Sequence, residues 1–332
     1  MIKTKEIRKK IRILDDLILE YKTLKEPTKR DYKSYEEKLF MRTKKALLFF
    51  EDYIKKAIIP LTFVNDVKSG RPEKLSLEQK VKILLIQRLI GKSNREMSFL
   101  LMLFSTLTNV DISYKTIERI YSDEKVVMVL SNIHNIIISE KKLEISNSCG
   151  DGTGYVLSIK DHYASIASKL KDKKSTKKKK ILFSFTLMDV EKRIYIAFGT
   201  SFKSEKEAFN KAKSMLDEHK IELDSIRLDR YYSGKTLVNN FSNQFNGIKI
   251  YLIPKKNATV GKGTGWNTML KDFVENTYKY FEEYYKRNQS ESGFSEDKRR
   301  FGWKIPQKLE NRINTAYFGI FTWHNLFWVG TD

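Results

Sequence analysis

Tyr284, Arg287, Glu291 and Lys298 follow the spacing Y-x2-R-x3-E-x6-K. At about 100° per residue these positions return to nearly one face of a helix. One acid then shares a stripe with an aromatic ring and two cations, the set a helix needs to hold a divalent ion while gripping nucleic-acid phosphates. An ordinary surface helix can carry charges at the same offsets, so the stripe means chemistry only if other acids join it. Two candidates stand upstream. Asp151, in CGDGTGY, has a glycine on each side that lets a ligand approach the backbone, and Asp229 sits in IRLDRYYSG. Three carboxylates without nitrogen or sulfur donors favour Mg2+ or Mn2+ over zinc. Two such ions side by side activate an attacking oxygen and stabilise a leaving one in phosphoryl displacement.

These acids are useful only if the chain folds them together. From Leu143 the texture is that of strands: LEISNSCGDGTGYVLSI, KKILFSFTLMDV and RIYIAFGTSF are rich in β-branched and aromatic residues. KSEKEAFNKAKSMLDEHK then reads as a helix, DSIRLDRYY as a fourth strand, GKTLVNNFSNQF as a short helix and IKIYLIPKK as a fifth strand. A long helical stretch runs from about Trp266 to Arg300, with a break expected near Asn288 or Gly293. A meander of three strands followed by alternating helix and strand is the order of ribonuclease-H-like domains. It places Asp151 on the first strand, Asp229 at the end of the fourth and Glu291 on the helix after the fifth. The fold class expected is therefore mixed α/β: an all-α, helix-turn-helix-like N-terminal region followed by a five-stranded mixed sheet with its helices.

Upstream of the strands the chain reads as helices. Residues 1–70 form a helical region of mixed charge, ending in a linker at VKSGRP. Residues 71–142 hold three short helices, with Ser76, Ser93 and Ser113 as N-caps, Glu96 completing a capping box and Gly91 as a stop. Their lengths suit a helix-turn-helix, with Tyr114, Lys115, Thr116, Glu118 and Arg119 available to a groove, and suit an ordinary three-helix bundle equally. Residues 143–332 make the third unit.

Composition narrows the function. A formal charge of +22 points to a polyanionic partner, most simply DNA or RNA, although lysine enrichment from codon bias gives the same count. One cysteine excludes a disulfide framework and a cysteine-rich zinc site, and the four histidines are scattered. No apolar run reaches membrane-spanning length, and the charged N-terminus is not that of a signal peptide. A cytoplasmic protein is expected.

The spacing Y-x2-R-x3-E-x6-K, with DGTG and LDRYYSG upstream of it, resembles the signature of DDE transposases from bacterial and archaeal insertion sequences, over roughly residues 145 to 330. The resemblance implies a ribonuclease-H-like catalytic domain that binds element ends, cleaves to a 3′-OH and joins that end to target DNA. It implies that Asp151, Asp229 and Glu291 ligate two Mg2+ or Mn2+ ions, that Tyr284, Arg287 and Lys298 hold phosphates near the scissile bond, and that a homodimer acts on double-stranded DNA. Many relatives carry a large β-rich insertion between the second Asp and the Glu. Here that interval is short, and Ser290 stands where the pattern is usually apolar. A nuclease that does not join, or a DNA-binding protein without catalysis, would share these motifs in whole or in part.

Other residues divide between site and scaffold. Lys255 and Lys256 follow the fifth strand near the mouth of the site and suit phosphate. The lysine run between the first two strands suits a solvated loop or a phosphate backbone. Asp189 and Asp224 are strand-end acids that could take the place of those chosen. Glu296 and Asp297 face away from the Glu291 stripe and are expected in solvent. Trp266, His162 and His324 are expected to be structural. VGKGTG lacks the strand-to-helix context of a phosphate loop, and NTAYFGIFTWHNLFWVG should close the core.

Overall fold

The computed structural model describes residues 3–24, 31–61, 73–105, 110–157 and 181–330. The VKSGRP linker, His162 and the lysine run between the first two strands lie outside these residues. No helix among them is long and apolar enough to cross a membrane.

Side-chain caps fix the N-terminal helices. After α1 (Thr4–Arg12) and α2 (Leu14–Thr23), the long α3 (Tyr32–Ile58) begins where Asp31 accepts from the amide of Ser34. Ser76 and Ser93 form capping boxes with Gln79 and Glu96 at the starts of α4 (Leu77–Ile90) and α5 (Asn94–Leu103). Gly91 ends α4 at φ +65°, a conformation glycine adopts without strain. Ser113 caps α6 (Tyr114–Ile120), and α7 (Glu124–Glu140) leads into the sheet.

The sheet follows the expected order. Strands β1 (Ile145–Leu157), β2 (Ile181–Asp189) and β3 (Tyr195–Ser201) form an antiparallel meander, then α8 (Glu205–His219) crosses to β4 (Glu222–Arg227), and α9 (Lys235–Gln244) to β5 (Lys249–Tyr251). The spatial order is β3-β2-β1-β4-β5, with β4 parallel to both neighbours. A two-residue strand β6 (Lys304–Ile305) also pairs with the far end of β1, so the sheet has six strands rather than five. Two residues bear too little pattern to mark a strand in a sequence.

Alternation along β1 and β2 assigns the two faces of the sheet. Phe185 meets Phe209 of α8, whereas Thr186 bonds Tyr317 of α13 (Glu310–Val329). Helix α13 is apolar on all sides because it is covered on all sides. Its inner side meets Phe198 of β3, and its outer side meets α3 and α4, where Trp323 stacks on Phe50 and donates to the Leu85 carbonyl at 2.7 Å.

The long helical stretch is three helices, α10 (Thr264–Glu275), α11 (Thr277–Tyr285) and α12 (Asn288–Phe301). One break falls next to Asn288 as expected, another at Asn276, and Gly293 lies unbroken inside α12. Tyr284 and Glu291 therefore sit on different helices, joined by a tight turn in which the amides of Arg287 and Ser290 bond back three residues.

Candidate active site

Strand register brings the first two acids level. Cys149 of β1 pairs with Arg227 of β4 in parallel, and Asp151 and Asp229 each follow two residues later. Neighbouring strands run about 4.8 Å apart, so the acids stand side by side where the sheet opens. Cys149, Asp151 and Thr153 face the α11–α12 side of the sheet. There Ser290 donates to the Cys149 sulfur at 3.1 Å, Arg287 meets Asp151 at 3.4 Å and Lys298 donates to Thr153 at 2.5 Å. Gly150 and Gly152 face the other way. A Cβ on Gly150 would strike Leu187 and Phe185, and one on Gly152 would strike Glu205. These glycines make room for the chain's own side chains, not for a ligand as the sequence suggested.

Arg287 links the third acid to the first. Its guanidinium lies 3.4 Å from Asp151 and 2.8 Å from Glu291. Burial pushes the Asp151 carboxyl up to about 6, helped by Glu291 and Asp229 and opposed by the Gly152 amide and Arg287. Burial would lower Arg287, but Tyr284 and the three acids together raise it. The three carboxylates thus share one field.

Oxygen-only donors suit Mg2+ or Mn2+. Among the described residues, however, no three such groups are gathered closely enough to hold a metal ion. The guanidinium of Arg287 stands between Asp151 and Glu291 and supplies the positive charge there.

Most of the remaining candidates fall into place around this centre. Tyr284 is buried beneath Arg287, its ring 5.9 Å from the guanidinium. Lys298 lies over the ring of Trp303, which is exposed. Lys255 and Lys256 are exposed beyond β5, and Lys115 and Arg119 are exposed on α6, where Glu118 is paired with Arg312 at 3.2 Å. Asp224 is exposed on β4, while Asp189 accepts from Ser146 and from two amides of the β2–β3 turn. Trp266 is buried and donates to the Thr259 carbonyl.

One expectation fails. Glu296 and Asp297 do face away from Glu291, but into protein and not solvent, because α13 and α3 cover that side. Asp297 accepts from the Tyr195 hydroxyl at 2.8 Å and faces Nδ1 of His324 at 2.9 Å, and Nε2 of His324 meets the Arg193 carbonyl at 3.0 Å. Ser290, where the family pattern is usually apolar, is buried, and its hydroxyl reaches both the Cys149 sulfur and the Arg287 carbonyl.

Several residues of this region carry no signal in the sequence. Arg227, buried at the end of β4, pairs with Glu283 of α11 and donates to its carbonyl, while Glu283 also takes Lys286 at 2.6 Å. This clamp holds the α11–α12 turn against the strand that leads to Asp229. Glu205 accepts from Tyr232 at 2.6 Å, beneath Gly152, and together with burial it raises the tyrosine well above its ordinary value. Tyr232 lies inside the quoted LDRYYSG, but the landing of Glu205 under β1 depends on where α8 packs.

No family model matches the chain, and no solved structure matches it. It is 38% identical over 323 residues to the probable transposase for insertion sequence element ISA1214 of Archaeoglobus fulgidus. The match covers 97% of this chain and 95% of that protein. With identity of that level spread over almost the whole of both proteins, the chain belongs to the transposases of insertion sequence elements.

Proposed function

We propose that this transposase is of the DDE type, with a ribonuclease-H-like catalytic unit at residues 143–332 and Asp151, Asp229 and Glu291 as its catalytic acids. What supports the reading is Asp151 on β1 beside Asp229 just past the end of its parallel neighbour β4, with Glu291 tied to Asp151 through Arg287. With Arg287 paired to Asp151 and Glu291 the acids are not gathered for a metal; only if the arginine gives way to a phosphate could they hold two Mg2+ or Mn2+ ions, which would supply charge for a phosphoryl transfer.

The chain's own residues do the positioning. Arg287 neutralises the acids before substrate arrives and can exchange Asp151 for a backbone phosphate. Tyr284 backs its guanidinium, and Lys298 presents a second cation beside Trp303. Lys255 and Lys256 extend the basic surface beyond β5. Residues 71–142 would bind double-stranded DNA as a helix-turn-helix, with Lys115 and Arg119 turned to the groove. The function that follows is cleavage of the element's ends to a 3′-OH and transfer of that strand to target DNA, by two copies of the chain holding two ends.

The test is incubation of the full chain with DNA carrying the element's ends in Mg2+ or Mn2+, beside Glu291→Gln, with products read on a sequencing gel. Cut and joined products that vanish in the variant are expected. Cutting that survives in Glu291→Gln would remove the third acid from the site, and end binding without cutting by either protein would overturn catalysis.

A further inference from the structure

On the side of α12 that faces away from the acids, the charges do not balance. The Arg42 side chain, on α3, is only 9% exposed, yet its Nη1 has no hydrogen-bond partner among the described residues. The same is true of both terminal nitrogens of Arg300 and of Oε2 of Glu296. The two guanidiniums share that one carboxylate oxygen as loose ion pairs, 3.8 Å from Arg42 and 3.6 Å from Arg300. Burial lowers Arg300 below the ordinary arginine value, with Glu296 opposing and Arg42 adding to the effect. Asp297 also acts on Arg300, but its oxygens are engaged by Tyr195 and His324, so among the described residues Glu296 is the one acid that pairs with the two guanidiniums.

Arg42 opens onto a cavity of about 480 Å³ between α3, the β2–β3 turn, α12 and the end of α13. Lys38, Lys45, Arg193, Glu296 and Trp328 line it too, so four cations face one acid. The guanidiniums of Arg42 and Arg193 lie 4.2 and 4.8 Å from the Trp328 ring. Arg193 is fixed there at φ +57°, in the left-handed region that few side chains adopt. Its amide donates to the Asp189 carbonyl and its own carbonyl accepts from His324, both at 3.0 Å. These contacts hold the backbone at the cavity rim, and the side chain lies over the Trp328 ring.

We propose that this cavity binds the phosphoryl group of a nucleotide. Arginine forks meet phosphate oxygens in pairs, and several oxygens can meet Arg42 and Arg193 at once, where Glu296 reaches Arg42 only at 3.8 Å. The volume lies in the range of small-molecule sites. The nucleotide is either free or one unit of a DNA strand; both present the same group. The site stands apart from Asp151, Asp229 and Glu291 and does not rest on the reaction proposed for them.

The test uses the full chain as wild type, Glu291→Gln, Arg42→Gln and Lys38→Gln, the last at an exposed position that carries no fold. Binding of dAMP, of inorganic phosphate and of a duplex unrelated to the element's ends is followed by thermal shift and anisotropy. Stabilisation by dAMP or phosphate in wild type and Glu291→Gln, weakened about tenfold or more in Arg42→Gln and measurably in Lys38→Gln, establishes a site for a free nucleotide. Response to duplex alone, with the slope of log K against log salt reduced by about one in Lys38→Gln, establishes a strand phosphate. Equal responses in all four proteins overturn the proposal.

Discussion

Two of the acids on helix α12, Glu291 and Asp297, stand six residues apart, and the fold treats them in opposite ways. The Glu291 side chain is 51% exposed and shares Arg287 with Asp151. The Asp297 side chain is 2% exposed and has both oxygens engaged, one by Tyr195 and one by His324. The inner acid is complete within the protein. The outer one is held by a single cation and open on its other side. A carboxylate with unfinished coordination at an open sheet edge is what a substrate can use, and a finished one holds helices together. The difference predicts that substitutions on the two faces of one helix separate activity from stability.

The largest effect should fall on the outer face. Glu291→Gln and Asp151→Asn should each slow cutting of element-end DNA by on the order of 10³-fold, ~4 kcal/mol in the transition state. In Glu291→Gln the unfolding free energy should move by less than about 1 kcal/mol, because that side chain is half exposed and closes no core. Denaturant melts run beside the cutting assay read both quantities. A large loss of stability in Glu291→Gln would erase the contrast.

Asp297→Ala should do the reverse. It leaves the Tyr195 hydroxyl and His324 Nδ1 buried without a partner, at a cost of about 3–5 kcal/mol. Asp297→Asn is the sharper probe. Its carbonyl oxygen can still accept from Tyr195 while its amide donates to Nδ1 of a neutral His324, so most of the loss should disappear. Cutting per folded molecule should be unchanged in both, as single-turnover assays on melt-calibrated samples would reveal.

Acid separates the regions by sign. His134, on α7, is pushed down to about 3 by burial and by neighbouring His219. Between about 3 and 6.5 the unfolded chain therefore binds a proton that the folded chain refuses, and stability falls as pH drops through that window. The contribution is whole above it. Asp151 works the other way. Raised to about 6, it keeps its proton when folded and releases it when unfolded, so it adds stability as pH falls from about 6 towards 3.8. In wild type the two offset each other. Asp151→Asn should expose the His134 loss, up to about 3 kcal/mol at pH 4, and adding His134→Leu should make the acid side of the curve shallower, with His219, Glu140 and Glu283, all held below their ordinary values, left to supply the rest. Melting at pH 4 to 8 in the three proteins gives the signs directly.

What the sequence made legible was local. Ser76, Ser93 and Ser113 announced helix starts because a cap is decided within three residues, and the β-branched texture around Asp151 announced a strand. The helix break before Asn288 was in reach. The break at Asn276, the two residues of β6 and the burial of Glu296 and Asp297 were not. Periodicity says that Asp297 faces away from Glu291; only the packing of α13 says that protein lies on that side. The positions of Asp151 and Asp229 could be read from motif and strand order, but their equal level depends on the Cys149–Arg227 register. The Arg227–Glu283 clamp joins residues 56 apart in the chain and left no pattern at all.

The smallest effect should come from the residue that lies between the two faces. Ser290 is buried at the start of α12, and its hydroxyl reaches outward to the Arg287 carbonyl at 3.0 Å and inward to the Cys149 sulfur at 3.1 Å. Ser290→Ala keeps the volume and removes both contacts. The thiol is a weak partner and the carbonyl also accepts the Ser290 amide, so stability should change by no more than about 1 kcal/mol. Its influence on chemistry should be larger than that figure suggests. The turn from Tyr284 to Ser290 carries Arg287, and Arg287 sets the spacing of Asp151 and Glu291. A several-fold drop in cutting with an unchanged melt would mean that the outer face is tuned through the turn. A drop in stability with cutting unchanged would place Ser290 with the inner network, and the boundary between the two faces would have to be drawn one turn earlier in the helix.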